Sequence, residues 1–228
     1  MNGLHGKKIL ITSGSTRAYL DAVRYISNTS TGKLGTEITT EALRLGASVT
    51  LLYGAGSLIP RTNKFVHATL TLIEIETVND LLTCLQQKLK DTHFDVIIHA
   101  MAVLDYVPER CIEGKVSSKK DEWVIRLVKT PKVINIIRDL WLEAFLIGFK
   151  LEVGKTKEEL IQIARTFQAQ TKANLIVANR LEEITRDGHA AYFVNDKGEI
   201  IGEFQTKKAV AEGLMKAVFS GTQDYSLR

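Results

Sequence analysis

Short apolar runs alternate along the chain with stretches in which apolar residues recur every three or four positions. Residues 9–11 predict a buried strand, and the residues from Leu34 onward place apolar side chains on one helical face. Further strands are predicted at residues 48–52, 66–75, 94–98, 123–127, 146–149 and 174–178, and further helices at residues 78–89, 157–171 and 206–219. Residues 190–194 and 199–201 flank an Asn-Asp-Lys-Gly turn, which predicts a β-hairpin.

This alternation of strands and helices is typical of a doubly wound, mostly parallel sheet, so we predict a Rossmann-like α/β fold that ends in a β-hairpin and a helix. Residues 105–120 interrupt the pattern with a proline and several charges, and predict a mobile polar flap. The pair Thr130-Pro131 predicts a helix entrance with Pro131 at the first helical position. Without repeats or a linker, we expect one domain over residues 1–228.

Composition narrows the class of protein. The 228 residues are 45% hydrophobic and 25% charged, as in ordinary soluble proteins, and the net charge is only +4. Basic residues form no stripe with interleaved aromatics, so no nucleic-acid partner is predicted. Cys84 and Cys111 have no metal-type spacing and fit a reducing compartment. Since neither a signal peptide nor a membrane-spanning run is visible, we expect a cytoplasmic protein without a membrane partner.

The connection after the first strand carries the strongest functional signal. It runs over residues 12–33, whereas such connections usually have about 2–6 residues. It ends at the start of a helix, where backbone N–H groups and the helix dipole favour an anion. Gly32 and Gly35 lack a Cβ atom, so a phosphate could approach the main chain there. Ser30 and Thr31 add hydroxyl donors and Lys33 adds a cation.

Two common phosphate-binding motifs are absent from this connection. A P-loop needs a serine or threonine after its Gly-Lys pair, but Leu34 follows Lys33. A dinucleotide fingerprint needs three glycines directly after the strand, and Gly14 stands there alone. The structural alternative for the connection is a plain polar loop.

Five polar clusters follow predicted strands, at residues 12–33, 100–120, 129–134, 148–152 and 178–179. Because the carboxyl ends of parallel strands share one edge of a sheet, we expect these clusters to converge. Convergence of this kind would build a phosphate-binding site.

Together these clusters resemble phosphopantothenate–cysteine ligase, also called phosphopantothenoylcysteine synthetase. The matching segments cover nearly the full chain in the family's order, and the most specific is Arg-Tyr-Ile-Ser-Asn-Thr-Ser-Thr-Gly at residues 24–32. The others are Ile-Thr-Ser-Gly-Ser-Thr-Arg at 11–17, Ala-Met-Ala-Val-Leu-Asp-Tyr at 100–106, Lys115, Val-Lys-Thr-Pro at 128–131, Gly-Phe-Lys-Leu-Glu at 148–152 and Leu-Ile-Val-Ala-Asn at 175–179.

The resemblance implies a reaction and its partners. A nucleoside triphosphate would activate the carboxylate of 4′-phosphopantothenate as an acyl-nucleotide, and the amine of L-cysteine would then attack it. CTP is favoured as the co-substrate, ATP is an alternative, and Mg²⁺ is expected with either. No flavin and no decarboxylation are expected. The family is dimeric, so a homodimer with shared sites is implied.

The resemblance also implies site residues. The catalytic residues would be Asn28 and Lys115, and no residue is expected to bind a metal directly. Nucleotide-binding residues would be Gly14, Ser30, Gly32, Gly35, Pro131, Lys132, Val133, Ile134 and Phe149. Substrate-binding residues would be Arg24, Asn28, Ala102, Asp105 and Asn179.

Each role has a simpler structural alternative. Asn28 and Asp105 could be turn residues, Lys115 a solvated surface lysine, Phe149 a core residue, and Arg24 a brace for its loop. Two other functions are also open. An NAD(P)-dependent reductase fits the fold but not the missing glycines and missing Tyr-x-x-x-Lys pair, and a non-catalytic nucleotide-binding module would bind triphosphate without releasing pyrophosphate.

Overall fold

A computed structural model describes residues 3–61, 69–119, 121–185 and 188–225, with side chains up to residue 221. The strands in this part of the chain are β1 Lys8–Ser13, β2 Arg17–Tyr19, β3 Tyr25–Ser27, β4 Ser48–Gly54, β5 Leu70–Ile75, β6 Val96–His99, β7 Tyr106–Pro108, β8 Leu127–Lys129, β9 Phe145–Glu152, β10 Leu175–Arg180, β11 Ala191–Asn195 and β12 Ile200–Phe204. The helices are α1 Lys33–Arg44, α2 Val78–Thr83, α3 Val133–Leu140, α4 Lys157–Thr171 and α5 Lys207–Tyr225, and a π-helical turn at Cys84–Lys88 continues α2.

Eight strands form one sheet in the order β12-β11-β10-β9-β6-β1-β4-β5. The six strands from β10 to β5 are parallel, and β11 and β12 add an antiparallel hairpin at one edge. The chain moves outward from β1 through β4 to β5, and then returns to place β6 on the other side of β1. The carboxyl ends of β1 and β6 therefore flank the topological switch point, where open α/β sheets bind ligands.

Apolar side chains cover both faces of the sheet. On one face, Leu10 and Ile97 pack with residues of α2, α3 and α4. On the other face, Ile9 and Ile98 pack with residues of α1 and α5. Neighbouring residues of one strand point to opposite faces, so continuous apolar runs such as residues 9–11 are needed to fill both cores.

The helices that follow the strands of the sheet differ in how their N-termini are capped. Helices α2 and α4 each begin with a capping box, formed by Thr77 with Asp80 and by Thr156 with Glu159. Helix α1 begins at Gly32, which has a left-handed conformation with φ 77° and provides no side-chain cap. Lys132 at the start of α3 also provides no side-chain cap. The first turns of α1 and α3 therefore lack the side-chain cap that α2 and α4 have.

The predicted fold class is confirmed, with local differences. Residues 123–126 lie outside any strand, so the strand predicted at 123–127 is wrong except for Leu127, where β8 begins. Pro131 precedes the N-cap residue Lys132, so it is not the first helical residue as predicted. The polar connection 12–33 contains an antiparallel ribbon of β2 and β3, and the polar flap contains β7, which pairs with β8. Part of the strand predicted at 66–75, up to residue 68, lies outside the described residues, as does Lys120 of the flap.

Candidate active site at the carboxyl edge of the sheet

A cavity of about 490 Å³ lies beside the carboxyl end of β1. One wall is the segment that follows β3, and the opposite wall is the turn that follows β4. The lining residues are Ser15, Arg17, Tyr25, Ser27, Asn28, Thr29, Ser30, Thr31, Ala55, Gly56, Ser57 and Leu58. Most of these side chains carry hydroxyl groups, so the cavity offers hydrogen-bond donors to a polar ligand.

Hydrogen bonds fix the two walls relative to each other. The Ser27 hydroxyl donates to the Thr16 carbonyl at 2.8 Å, which holds the end of β3 against β2. Across the cavity, the Leu58 N–H donates to the Thr31 carbonyl at 3.0 Å. The Thr36 hydroxyl of α1 donates in turn to the Leu58 carbonyl at 2.8 Å. The last two of these bonds hold the turn after β4 against the end of the connection and the first turn of α1.

The predicted glycines Gly14 and Gly35 lie next to this region but are not among the residues that line the cavity. Gly14 follows β1, and a Cβ atom there would lie 2.0 Å from the Ser57 hydroxyl. A Cβ atom at Gly35 would lie 2.0 Å from the Ser13 hydroxyl, so the space beside Gly35 is filled by β1 and is not open to a phosphate through the missing side chain. Gly35 thus allows α1 to pack closely on β1. Any ligand contact at Gly35 would have to use its backbone N–H.

The structure brings together the predicted residues Asn28, Ala102 and Gly14. The Asn28 side-chain amide donates to the Ala102 carbonyl at 3.1 Å. The Ala102 N–H donates to the Gly14 carbonyl at 2.8 Å. Asn28 is exposed, and its amide has a second N–H and a carbonyl oxygen beyond this bond. An amide held in this way can orient a ligand while staying uncharged.

Asp105 and Lys132, also predicted site residues, form an ion pair at 2.6 Å and are each about half exposed. The Thr130 N–H donates to the Asp105 carbonyl at 2.9 Å, so this pair ties the entrance of α3 to the segment after β6. Pro131 is exposed, whereas the side chains of Val133 and Ile134 are only 3% and 4% exposed and belong to the core. Only their main-chain groups could contact a nucleotide.

Lys115 and Arg24 lie together, but at the tip of the ribbon rather than in the cavity. The Ala22 N–H donates to the Gly114 carbonyl at 3.0 Å, and the Val116 N–H donates to Asp21 Oδ2 at 3.1 Å, so both neighbours of Lys115 are fixed to the ribbon tip. Lys115 itself is exposed. Arg24 and Asn28 are separated by the length of β3, about 13 Å for extended backbone.

Asp21 organises this tip and was assigned no role from the sequence. Its side chain is fully buried and forms an ion pair with Arg24 at 2.9 Å. Burial alone would raise the pKa of the Asp21 carboxyl, but N–H groups of Val23, Val116 and Arg24 and the Arg24 guanidinium lower it below its usual value. Its spacing to Arg24, with backbone donors two and three residues on, was an available signal of a local Asx-type turn. Arg24 therefore braces the ribbon, as its structural alternative suggested.

Phe149 and Asn179 lie farther along the edge. Phe149 packs against the core on the α1 and α5 face, whereas the first turn of α3 packs on the opposite face. Asn179 is 4% exposed, and its amide donates to the Ala190 carbonyl at 2.6 Å. These contacts give both side chains a structural role, and their predicted roles in ligand binding stay predictions.

His99 is a further polar residue at the switch point that the sequence did not single out. It ends β6, is partly buried, and its Nδ1 atom lies 2.7 Å from the Thr12 hydroxyl of β1. The Thr12 hydroxyl also accepts the Met101 N–H at 3.3 Å, so it joins His99 to the segment that follows β6. Burial lowers the pKa of His99 to about 4, which keeps the ring neutral near pH 7.

Within the described residues, no group of three or more His, Cys, Asp or Glu side chains could hold a metal ion. The same part of the chain contains no helix with the length and apolar character needed to cross a membrane.

The sheet order, with a hydroxyl-lined cavity beside the carboxyl end of β1, defines a doubly wound α/β protein of Rossmann-like topology. The chain belongs to the family described as DNA/pantothenate metabolism flavoprotein C-terminal domain, whose model matches residues 4–221. The family predicted from the motifs is thereby confirmed.

Individual relatives are similar to this chain in sequence and in fold. The chain is 36% identical over 211 residues to the coenzyme A biosynthesis bifunctional protein CoaBC of Thermococcus kodakarensis, covering 92% of this chain and 50% of that protein. It thus spans about half the length of the curated relatives it matches. The crystal structure of the DNA/pantothenate metabolism flavoprotein from Streptococcus pneumoniae has a TM-score of 0.84 and 35% identity, covering 94% of this chain and 99% of that one. The C-terminal domain of a CoaBC protein has a TM-score of 0.76 and 30% identity, covering 98% of this chain and 100% of that one.

Proposed function

We propose that the protein is a phosphopantothenate–cysteine ligase, which joins 4′-phosphopantothenate to L-cysteine with the help of a nucleoside triphosphate. In the first step, a carboxylate oxygen of 4′-phosphopantothenate attacks the α-phosphorus, and pyrophosphate leaves. In the second step, the amine of cysteine attacks the acyl carbon. The nucleoside monophosphate leaves with the electron pair of the broken C–O bond, and the amine loses a proton.

The observation that carries this proposal is the cavity with Asn28 at its rim, in a chain of this family. Chemistry of this kind depends on positioning and charge stabilisation more than on an acid or base. Asn28 meets that need because its amide is held on the Ala102 carbonyl and adds no charge beside two phosphate-bearing groups. Its remaining N–H is suited to donate to the oxygen of the acyl group.

The other predicted residues have roles within the same proposal. The uncapped first turn of α1, with Ser30, Gly32 and the N–H of Gly35, would bind phosphate oxygens, and Gly14 would shape the floor. The main chain of residues 131–134, together with Phe149, would contact the base or sugar. Lys115 would reach the phosphates from the ribbon tip. Ala102 and Asp105, with Arg24 and Asn179, would be substrate-binding residues, and a homodimer would let the ribbon of one subunit complete the site of the other.

CTP is the favoured triphosphate in this proposal, and ATP is the alternative. Because the described residues offer no metal cage, Mg²⁺ would arrive bound to the triphosphate and be held mostly through phosphates and water. When bound, it would neutralise part of the phosphate charge.

The decisive experiment measures pyrophosphate release with 4′-phosphopantothenate, L-cysteine and CTP or ATP in turn. Release with one triphosphate, and formation of the cysteine amide, would support the ligase. Pantothenate without its phosphate and Asn28→Ala are the controls, and both should lower the rate strongly. Triphosphate binding with no pyrophosphate release under any condition would instead favour a non-catalytic nucleotide-binding module.

A further inference from the structure

We propose that Arg17 is the cation that binds a phosphate oxyanion in the cavity. From the sequence, Lys33 was expected to supply this charge. Lys33 is exposed and is not among the cavity-lining residues, whereas Arg17 is one of them. The inference deepens the proposed function, since the ligand would be a phosphate of the nucleotide or of 4′-phosphopantothenate.

The surroundings of Arg17 suit an oxyanion. The other polar side chains among the described lining residues are the Asn28 amide and hydroxyls, from Ser15, Ser27, Thr29, Ser30, Thr31, Ser57 and Tyr25. Arg17 is the single charged residue in that set. A guanidinium combined with several hydroxyl donors, and without a lining carboxylate, matches the charge and the acceptor atoms of a phosphate.

Three contacts hold the Arg17 guanidinium in place. Nη2 donates to the Ala55 carbonyl at 2.6 Å, and Nη1 lies 3.6 Å from Glu76 Oε1. The guanidinium carbon lies 4.6 Å from the centroid of the Tyr25 ring. Because a guanidinium has five N–H donors, these contacts leave others for a ligand. The charge is thus fixed in advance, so little side-chain freedom is lost on binding.

Glu76 anchors Arg17 without belonging to the cavity lining. Its Oε1 atom also accepts a hydrogen bond of 2.5 Å from the Tyr19 hydroxyl. That bond raises the pKa of Tyr19, so the phenol stays a neutral donor to the carboxylate. Glu76 therefore holds Arg17 but also offsets part of its charge. This arrangement makes a distinctive prediction, because Glu76→Gln keeps an acceptor and removes the opposing charge.

The test measures binding of sodium tripolyphosphate by calorimetry at fixed salt, with wild type, Arg17→Met, Arg17→Lys and Glu76→Gln. Arg17→Met should weaken binding by about 10- to 100-fold, the effect of losing one charge-assisted hydrogen-bonding group. Arg17→Lys should lose less affinity for tripolyphosphate than Arg17→Met, and Glu76→Gln should bind tripolyphosphate more tightly than wild type. Arg44→Met is the matched control, since Arg44 is also paired with a carboxylate but lies in the last turn of α1.

The same variants are then titrated with CTP, ATP, 4′-phosphopantothenate and pantothenate. The ligand whose affinity falls in Arg17→Met, but not in Arg44→Met, identifies the source of the phosphate. Equal affinity of wild type and Arg17→Met for all phosphorylated ligands would overturn the proposal, as would failure of wild type to bind any of them. Arg17-dependent binding of tripolyphosphate without pyrophosphate release would support Arg17 while rejecting the ligase.

A measurement on the wild-type protein covers the case in which Arg17→Met does not fold. Phenylglyoxal modifies accessible arginines, and the Arg17 side chain is 24% exposed. Peptide mapping should find that tripolyphosphate protects Arg17 and leaves Arg44 unprotected. Modification of Arg17 at the same rate with and without tripolyphosphate would contradict the assignment.

Discussion

Two histidines with lowered pKa values, His99 and His189, should make the protein lose stability in mild acid. Burial lowers the pKa of His99 to about 4. Burial, with a smaller effect of Lys207, also lowers the pKa of His189 to about 4. His189 is 6% exposed, and among the described residues neither ring nitrogen has a hydrogen-bond partner, so a charge there would lack compensation from them. Both rings should therefore be neutral in the native protein at pH values where the unfolded chain is already protonated.

The magnitude follows from proton linkage. In the unfolded chain a histidine has a pKa near 6.5, so the unfolded state binds more protons between about pH 6.5 and 4. The contribution of each neutral ring to the free energy of unfolding is complete above about pH 6.5, and it is lost as the pH falls towards 4. At pH 5 each ring should cost about 2 kcal/mol relative to pH 8, and both together roughly 4 kcal/mol. This is a large part of the usual stability of a domain.

Urea unfolding followed by tryptophan fluorescence at pH 8 and pH 5 checks this prediction. His99→Gln and His189→Gln should each remove about half of the pH dependence, and His5→Gln, a change at an exposed histidine, is the control. A free energy of unfolding that stays within about 1 kcal/mol between the two pH values would refute the reasoning. Full pH dependence in both single variants would refute it equally.

Three further predictions concern the site. Asn28→Asp should fold normally but lower kcat for pyrophosphate release by about 100-fold, because it places a negative charge beside the phosphates of the ligands. A near-normal rate would reject the role of Asn28. Lys115→Gln should slow the same assay about tenfold or more, and an unchanged rate would make Lys115 a simple surface residue. Gly35→Ala should lower the free energy of unfolding by about 1–3 kcal/mol because the added Cβ atom would meet the Ser13 side chain. Adding Ser13→Gly to this variant should restore stability in thermal unfolding, and a double variant as unstable as Gly35→Ala would show that this contact is not the cause.

The strands and helices could be predicted because each depends on its own local pattern. The exceptions are at places where contact with a distant segment determines where a strand or a helix begins. Residues 123–125 form an apolar run typical of a strand, yet β8 begins only at Leu127, where β7 offers a partner. The start of α3 is shifted past Pro131 to Lys132, whose side chain is held by Asp105. Pairing partners and anchors of this kind are not encoded in a local window of sequence.

Some residues of the candidate site could likewise be predicted from the sequence, and others could not. Gly14, Asn28 and Ala102 were predicted by resemblance, and the structure brings them into contact. The buried Asp21 accepts from Val116, which is 95 residues away in sequence. His99 and Thr12 are 87 residues apart. Neither pair has a signature in the sequence alone, since a buried ionisable side chain looks there like any exposed one.

In the proposed function, the ribbon of β2 and β3 takes the place of a glycine-rich phosphate loop. Strands β2 and β3 pair with Arg17 opposite Ser27, so the pairing puts Arg17 beside the residue that precedes Asn28. The Tyr19 and Tyr25 rings, opposite each other at the far end of the ribbon, contact edge to face at 5.9 Å between centroids and support the same register. A slip of one residue would turn Arg17 away from the cavity, because neighbouring side chains of a strand point to opposite faces. One register therefore places both Arg17 and Asn28 beside the cavity, as the proposed function requires.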